Sequence, residues 1–231
     1  TIEDLMKKLR LGEFERNSLV VFAITMIANV LSYLYQIVMG NVLTPADYGT
    51  VNTLLSLSVV VGVPSGIISA LTATYTAKYH AHGETFAIAA FMHGMLRVAA
   101  VLAAIVFVAG ALLSRPIAHV LQIDDPHYVT VVMVLVASNC LGPVFSSTLQ
   151  GVKRFIPYSM NSVLSFAFRL LLGVIFVWLG WGIPGALAAL ILAACLTMLY
   201  CLFKSRDLFF APVKENLALD RTEIRRYFVS T

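Results

Sequence analysis

The sequence predicts an all-α integral membrane protein, a lobe of six transmembrane helices with both termini on the cytoplasmic side. Three observations carry this. Hydrophobic residues make up 59% of the 231-residue chain and charged residues only 12%, and the mean hydropathy is +0.87, far from the composition of a water-soluble domain. The apolar residues gather into runs of the ~20 residues that a helix needs to cross a bilayer. The charges fall between those runs, nearly all to one side of them.

The spans are expected over Ser18 to Gly40, Tyr48 to Thr76, Phe86 to Leu113, Tyr128 to Gln150, Pro157 to Gly180 and Pro184 to Phe203. They divide the chain into a cytoplasmic N-terminal segment (1–17), a transmembrane lobe (18–203) and a cytoplasmic basic linker (204–231). The first segment is polar and mixed in charge, so the helix after it is a retained span, not a cleaved signal peptide. Between the first two spans, Thr44-Pro45-Ala46-Asp47 reads as a capping box with proline at the first helical position, and Leu43 and Tyr48 stand where a hydrophobic staple would close the turn. Gly62, Pro64 and Gly66 predict a kink in the second span, and Gly142-Pro143 another in the fourth. Thr1 stands where a methionine would, and Leu219-Asp220-Arg221-Thr222-Glu223 starts another capped helix, so the chain is expected to be cut at both ends.

All but three of the sixteen basic residues collect on one side. They are Lys7, Lys8, Arg10 and Arg16 before the first span, Lys78 after the second, Lys153 and Arg154 after the fourth, and Lys204, Arg206, Lys214, Arg221, Arg225 and Arg226 at the end. On the other side stands Arg115, in a loop with Asp124 and Asp125. The positive-inside rule then makes both termini cytoplasmic, which requires an even number of spans. Because the cations lie between apolar segments and not on a soluble face, nucleic acid is not an expected partner. Cys140, Cys195 and Cys201 sit in apolar stretches without a paired CxxC spacing and read as buried, reduced thiols.

The two remaining cations, Arg97 and Arg169, lie within spans, and none of the twelve acids does. Arg169 falls roughly 20 Å along its helix, near the midplane. A guanidinium there costs at least about 2.5–3.5 kcal/mol on insertion scales, so it faces water or a partner. Its stripe at helical spacing is polar or small: Asn161, Ser162, Ser165 and Gly173. Arg97 follows His93 by one turn, beside Ala90, Ala100 and Ala104. The first span carries Thr25, Asn29, Ser32, Gln36 and Gly40 on one face, and the fourth carries Asn139, Gly142, Ser146 and Gln150. Amides inside lipid need protein partners or water. The stripes therefore predict a water-filled cavity whose natural ligand is an anion, phosphate above all, because two guanidinium donors meet two of its oxygens in one plane. The plainer readings are a snorkelling Arg97, an Arg169 bound to carbonyls freed near Pro143, a packing His93, and an amide seam that glues helices together.

An enzyme is not expected. The chain shows no carboxylate pair, no His and acid cluster of metal-ligand type and no nucleophile with a base near it in sequence, and so implies no cofactor or metal. A non-transport membrane scaffold would need neither a cationic interior nor polar stripes on several helices.

Three stretches resemble a known family. Asn41-Val42-Leu43-Thr44-Pro45-Ala46-Asp47-Tyr48-Gly49 is similar to the first extracytoplasmic turn of the polysaccharide (O-antigen and lipid-linked oligosaccharide) flippases of the multidrug/oligosaccharidyl-lipid/polysaccharide (MOP) exporter superfamily. Leu149-Gln150-Gly151-Val152-Lys153-Arg154-Phe155 resembles their loop between helices four and five, and Gly180-Trp181-Gly182-Ile183-Pro184-Gly185-Ala186 the start of their sixth helix. The resemblance implies one six-helix lobe of a two-lobe MOP-type transporter that flips undecaprenyl-pyrophosphate-linked oligosaccharides across the bacterial inner membrane. Its partners would be that substrate, membrane lipids and a C-terminal lobe, absent here, with a self-pairing half-transporter as the alternative to a truncated chain. Arg169 and Arg97 would bind the pyrophosphate, and Asn29, Gln36, Asn161 and Ser165 the sugars or cavity water. Tyr33 and Tyr35 are candidates for stacking on sugar rings. The family often has a basic residue where this chain has Asn41, so that rim contact does not carry over. Cation-coupled multidrug antiporters of the same superfamily are the alternative, but they commonly use a membrane-embedded acid, which these spans lack.

Overall fold

Helix α1 (Glu13–Val42) stops just short of Thr44, and residues within one helical turn of that threonine set the course of the chain beyond it. Thr44 is extended, its hydroxyl oxygen accepts from the Asp47 amide at 3.2 Å, and Pro45 opens α2 (Pro45–Val61). The Thr44 hydroxyl in turn donates to the Asp47 carboxylate at 2.8 Å. Leu43 is buried, and Tyr48 packs against the same apolar cluster, which closes the staple. The computed structural model in which this is seen describes residues 13–123 and 125–209. The expected helix start at Leu219 and the cations from Lys214 onward lie outside the described residues, as do Lys7, Lys8, Arg10 and Asp124.

The second span breaks at Gly62 into α2 and α3 (Val63–Ala81), which meet at a 49° bend. A Cβ at Gly62 would stand 2.8 Å from the Ser58 carbonyl oxygen, so glycine is what the break admits. The chain continues through α4 (Thr85–Leu112) and a short α5 (Ser114–Val120). α5 takes in Arg115 and His119, a stretch the sequence pattern leaves as loop. α6 (Pro126–Gly151) is capped by Asp125, whose carboxylate accepts from the His127 amide at 2.9 Å. It passes through Pro143 without ending. α7 (Phe155–Trp178) turns into α8 (Gly182–Phe209) through Gly180 and Gly182, both at positive φ (83° and 50°), a conformation open to glycine.

Five of these helices are long and apolar enough to cross a membrane, and the bent α2–α3 pair makes six crossings if counted as one. The last helix runs six residues past the expected Phe203, as far as Phe209. α6 stands at the centre of the lobe, in contact with α3, α4 and α8, while α1 packs on α7 and α7 on α8. Large apolar side chains such as Phe22, Val59 and Leu112 remain exposed on the outer surface, as a lipid-facing wall requires. Trp178 and Trp181 are exposed at the α7–α8 turn, where an aromatic belt would lie. Lys78, Lys153, Arg154, Lys204 and Arg206 fall at the opposite end of the lobe.

Candidate functional site

A cavity of about 300 Å³ opens between α6, α7 and α8. From α6 it takes Ser138, Asn139, Gly142, Pro143 and Ser146, from α7 Asn161, Ser165 and Arg169, and from α8 Thr197 and Cys201 among others. Helical spacing explains the grouping. Asn161, Ser165 and Arg169 recur every four residues on α7, and Ser138, Gly142 and Ser146 do so on α6. Apolar clusters built on Leu187 and Leu190 on one side and on Phe145 and Leu149 on the other leave this polar layer between them.

The polar groups divide by how far the protein satisfies them. Ser138 donates to the Val134 carbonyl at 2.9 Å and Thr197 to the Ala193 carbonyl at 2.8 Å, each within its own helix. The Cys201 thiol donates to the Asn161 side-chain oxygen at 3.2 Å and so turns the amide of Asn161. Among the described residues the side chain of Asn139 has no hydrogen-bond partner. Arg169 forms no ion pair there either, and its Nε is buried without a hydrogen-bond partner. The guanidinium carbon lies 5.5 Å from the centre of the Phe166 ring, a contact that steadies the cation without using its donors. Among the described residues no carboxylate lines the cavity. Pro143 cannot donate to the Asn139 carbonyl one turn before it, which adds an acceptor to the α6 wall.

Of the six residues singled out in the sequence, the fold brings together Arg169, Asn161 and Ser165. Asn29 and Gln36 are exposed on the flank of α1, because α1 packs through Ala28, Tyr35 and Met39 instead. Met39 and Tyr35 seat against Gly173, where any Cβ would collide with the Met39 methyl. Gly173 is thus the socket for α1 and not part of the cavity wall, and Ser162 is exposed. Arg97 is exposed on the side of α4 opposite its buried stripe of Met92, Met95 and Ala99. Its neighbour His93 stacks on Phe209, with ring centres 4.4 Å apart. Tyr33 and Tyr35 do not form a pair: Tyr33 is 65% exposed and Tyr35 9%, as two positions about 200° apart on a helix require. Sequence reading missed the α8 wall. Its signal was the four-residue series Ala193, Thr197, Cys201 and Ser205, all buried.

At the opposite end from Trp178, Arg154 donates to the Asp207 carboxylate at 2.8 Å and to the Lys204 carbonyl at 3.0 Å, and ties the α6–α7 turn to the end of α8. Among the described residues no group of His, Cys, Asp and Glu is placed to hold a metal ion.

The family model described as "Polysaccharide biosynthesis protein" matches residues 14–230. The chain belongs to this family. No curated protein matches the sequence. Among solved structures the fold is similar to a MOP superfamily transporter from Pyrococcus furiosus, described as having a binding pocket of reversed polarity. The TM-score is 0.69 and the identity 16%, over 93% of this chain and 50% of that one. It is also similar to an outward-facing multidrug resistance MATE family transporter of the MOP superfamily, at TM-score 0.68 and 18% identity over the same shares. The chain therefore has the fold of a lobe of a MOP transporter, and spans about half the length of the solved relatives it matches.

Proposed function

We propose that this chain is the N-terminal lobe of an alternating-access transporter that flips lipid-linked, undecaprenyl-pyrophosphate-bearing oligosaccharides across the bacterial inner membrane for surface polysaccharide biosynthesis. The observation that supports it most is Arg169, a cation deep in a membrane helix that borders a polar cavity with no carboxylate among the described residues of its wall. A guanidinium offers a phosphate two parallel hydrogen bonds from one planar edge. At about 300 Å³ the cavity is at the small end of ligand sites. It suits the pyrophosphate head, and the sugars would lie in the cleft between this lobe and the second. Asn161 and Ser165 extend the hydrogen-bonding wall, while Asn29, Gln36 and Arg97, exposed on the lobe, act in that cleft. Transport is rocking of the two lobes about the bound head group. The lobe is oriented with Lys78, Arg154 and Lys204 on the cytoplasmic side. The carboxylate-free cavity weighs against a cation-coupled drug antiporter, whose coupling ion needs an acid.

The test is export of surface polysaccharide by the full-length protein in a flippase-deficient cell, at matched membrane levels. Arg169→Ala is expected to abolish export and Arg169→Lys to restore part of it. Normal export by the alanine variant would remove the site.

A further inference from the structure

A second concavity lies on the outer surface between α7 and α8, and shares no residue with the polar cavity. On α8 the two sets of lining residues point to opposite faces. This groove, about 840 Å³, is walled by Met160, Leu164 and Phe168 of α7 and by Leu196, Leu199 and Phe203 of α8, among other apolar residues, with Arg206 at its end. Among the described residues Arg206 is the one charged residue in its wall.

Length and charge together define what fits. From Leu196 to Arg206 the groove follows about 15 Å of helix, and from Met160 to Phe168 about 12 Å. That is the depth of one leaflet of a hydrocarbon core about 30 Å thick. The groove runs from mid-membrane to the end of the lobe that carries Arg154 and Lys204, and so opens at one interface only. Arg206 stands at that rim, with its guanidinium carbon 4.7 Å from the centre of the Phe203 ring. The nearby carboxylate, Asp207, is bound by Arg154, and consecutive helix positions do not face each other. Among the described residues Arg206 thus forms no ion pair, and the carboxylate that feels its charge, Asp207, is held by Arg154. An acyl chain would cover Leu199 and Phe203, both exposed in the lobe, while a phosphate would meet Arg206.

We infer that the α7–α8 groove is a binding site for one anionic glycerophospholipid of the adjacent leaflet, its acyl chain against Leu164, Leu199 and Phe203 and its phosphate on Arg206. A polyprenyl chain long enough to cross both leaflets exceeds the groove, which selects a lipid of ordinary chain length. The site is independent of the transport reading above.

The experiment is native mass spectrometry and thermal denaturation of the full-length protein, titrated with phosphatidylglycerol, phosphatidylcholine of the same chains, and soluble glycerophosphate. One phosphatidylglycerol should bind and raise Tm, phosphatidylcholine should do so more weakly, and glycerophosphate should have no effect. Arg206→Gln should weaken phosphatidylglycerol about fivefold, the share of one interfacial cation, and Lys204→Gln should leave it unchanged. Leu199→Trp, which fills the groove without touching the charge, should also displace the lipid. Equal binding of both lipids, equal losses in the two charge variants, retention of the lipid by Leu199→Trp, or stabilisation by glycerophosphate alone would each overturn the site.

Discussion

Toward α3, helix α6 presents Ser147 and Gly151, and toward α7 and α8 it presents Ser138, Asn139 and Ser146. The first face is closed. The Ser147 hydroxyl meets that of Ser69 at 2.7 Å, and Gly151 lets Thr76 and the Ala73 carbonyl approach to where a Cβ would stand under 3 Å away. The second face is left open on the cavity, and its amide finds no partner among the described residues. Both faces are polar and both lie in a membrane helix. Small residues bring the backbones together on the first face, even though the buried Thr76 hydroxyl there has no partner, whereas the amide and guanidinium of the second face border open space. The comparison teaches that polarity alone does not mark a site in a membrane lobe. Unmet hydrogen-bonding capacity marks one only where it borders a cavity, as at Arg169 and not at Thr76, which is packed against Gly151.

The largest effect expected from breaking this contrast is Ser165→Asp, which places a carboxylate one helical turn before Arg169 and fills the open face from within. Export should drop to the level of Arg169→Ala while Tm of the purified protein holds or rises. Retained export would show that Arg169 does not need to be free. On the closed face, Gly151→Leu should lower stability by about 3 kcal/mol through overpacking against α3, read as loss of monodisperse protein and a lower Tm. An unchanged Tm would mean that α3 and α6 do not meet so closely. The smallest effect sharpens the comparison. Ser147→Ala should cost about 0.6 kcal/mol, the average for a hydrogen bond between membrane helices, and leave export intact.

The parts of this arrangement that are written locally were legible in the sequence. The Thr44 cap, the break at Gly62 and the shared face of Asn161, Ser165 and Arg169 each depend on residues within one or two helical turns. What depended on neighbouring helices was not legible. The seam of Asn29 and Gln36 looked like the inner face of α1, but Gly173 on α7 offers a socket for Met39, and the fit of a large side chain into a missing one outweighed the amide pattern. Thr197 and Cys201 read as incidental in an Ala- and Leu-rich helix until α6 and α7 showed which face of α8 they occupy. α5 is a single short helix without an apolar run, below the length at which periodicity can be read.

From Pro45 to Ala81 the chain runs through α2, Gly62 and α3, about 55 Å of helix, against a hydrocarbon layer of about 30 Å. A straight rod of that length would have to lean steeply or force the bilayer to thicken around it. The 49° elbow instead lays part of the excess sideways. The height of this crossing is then set by an angle and not by a residue count, so a thicker or thinner bilayer can be met by opening or closing one joint, at the modest energies of hydrophobic mismatch. Counted as one crossing, the α2–α3 pair is thus a span whose excess length is taken up by a bend.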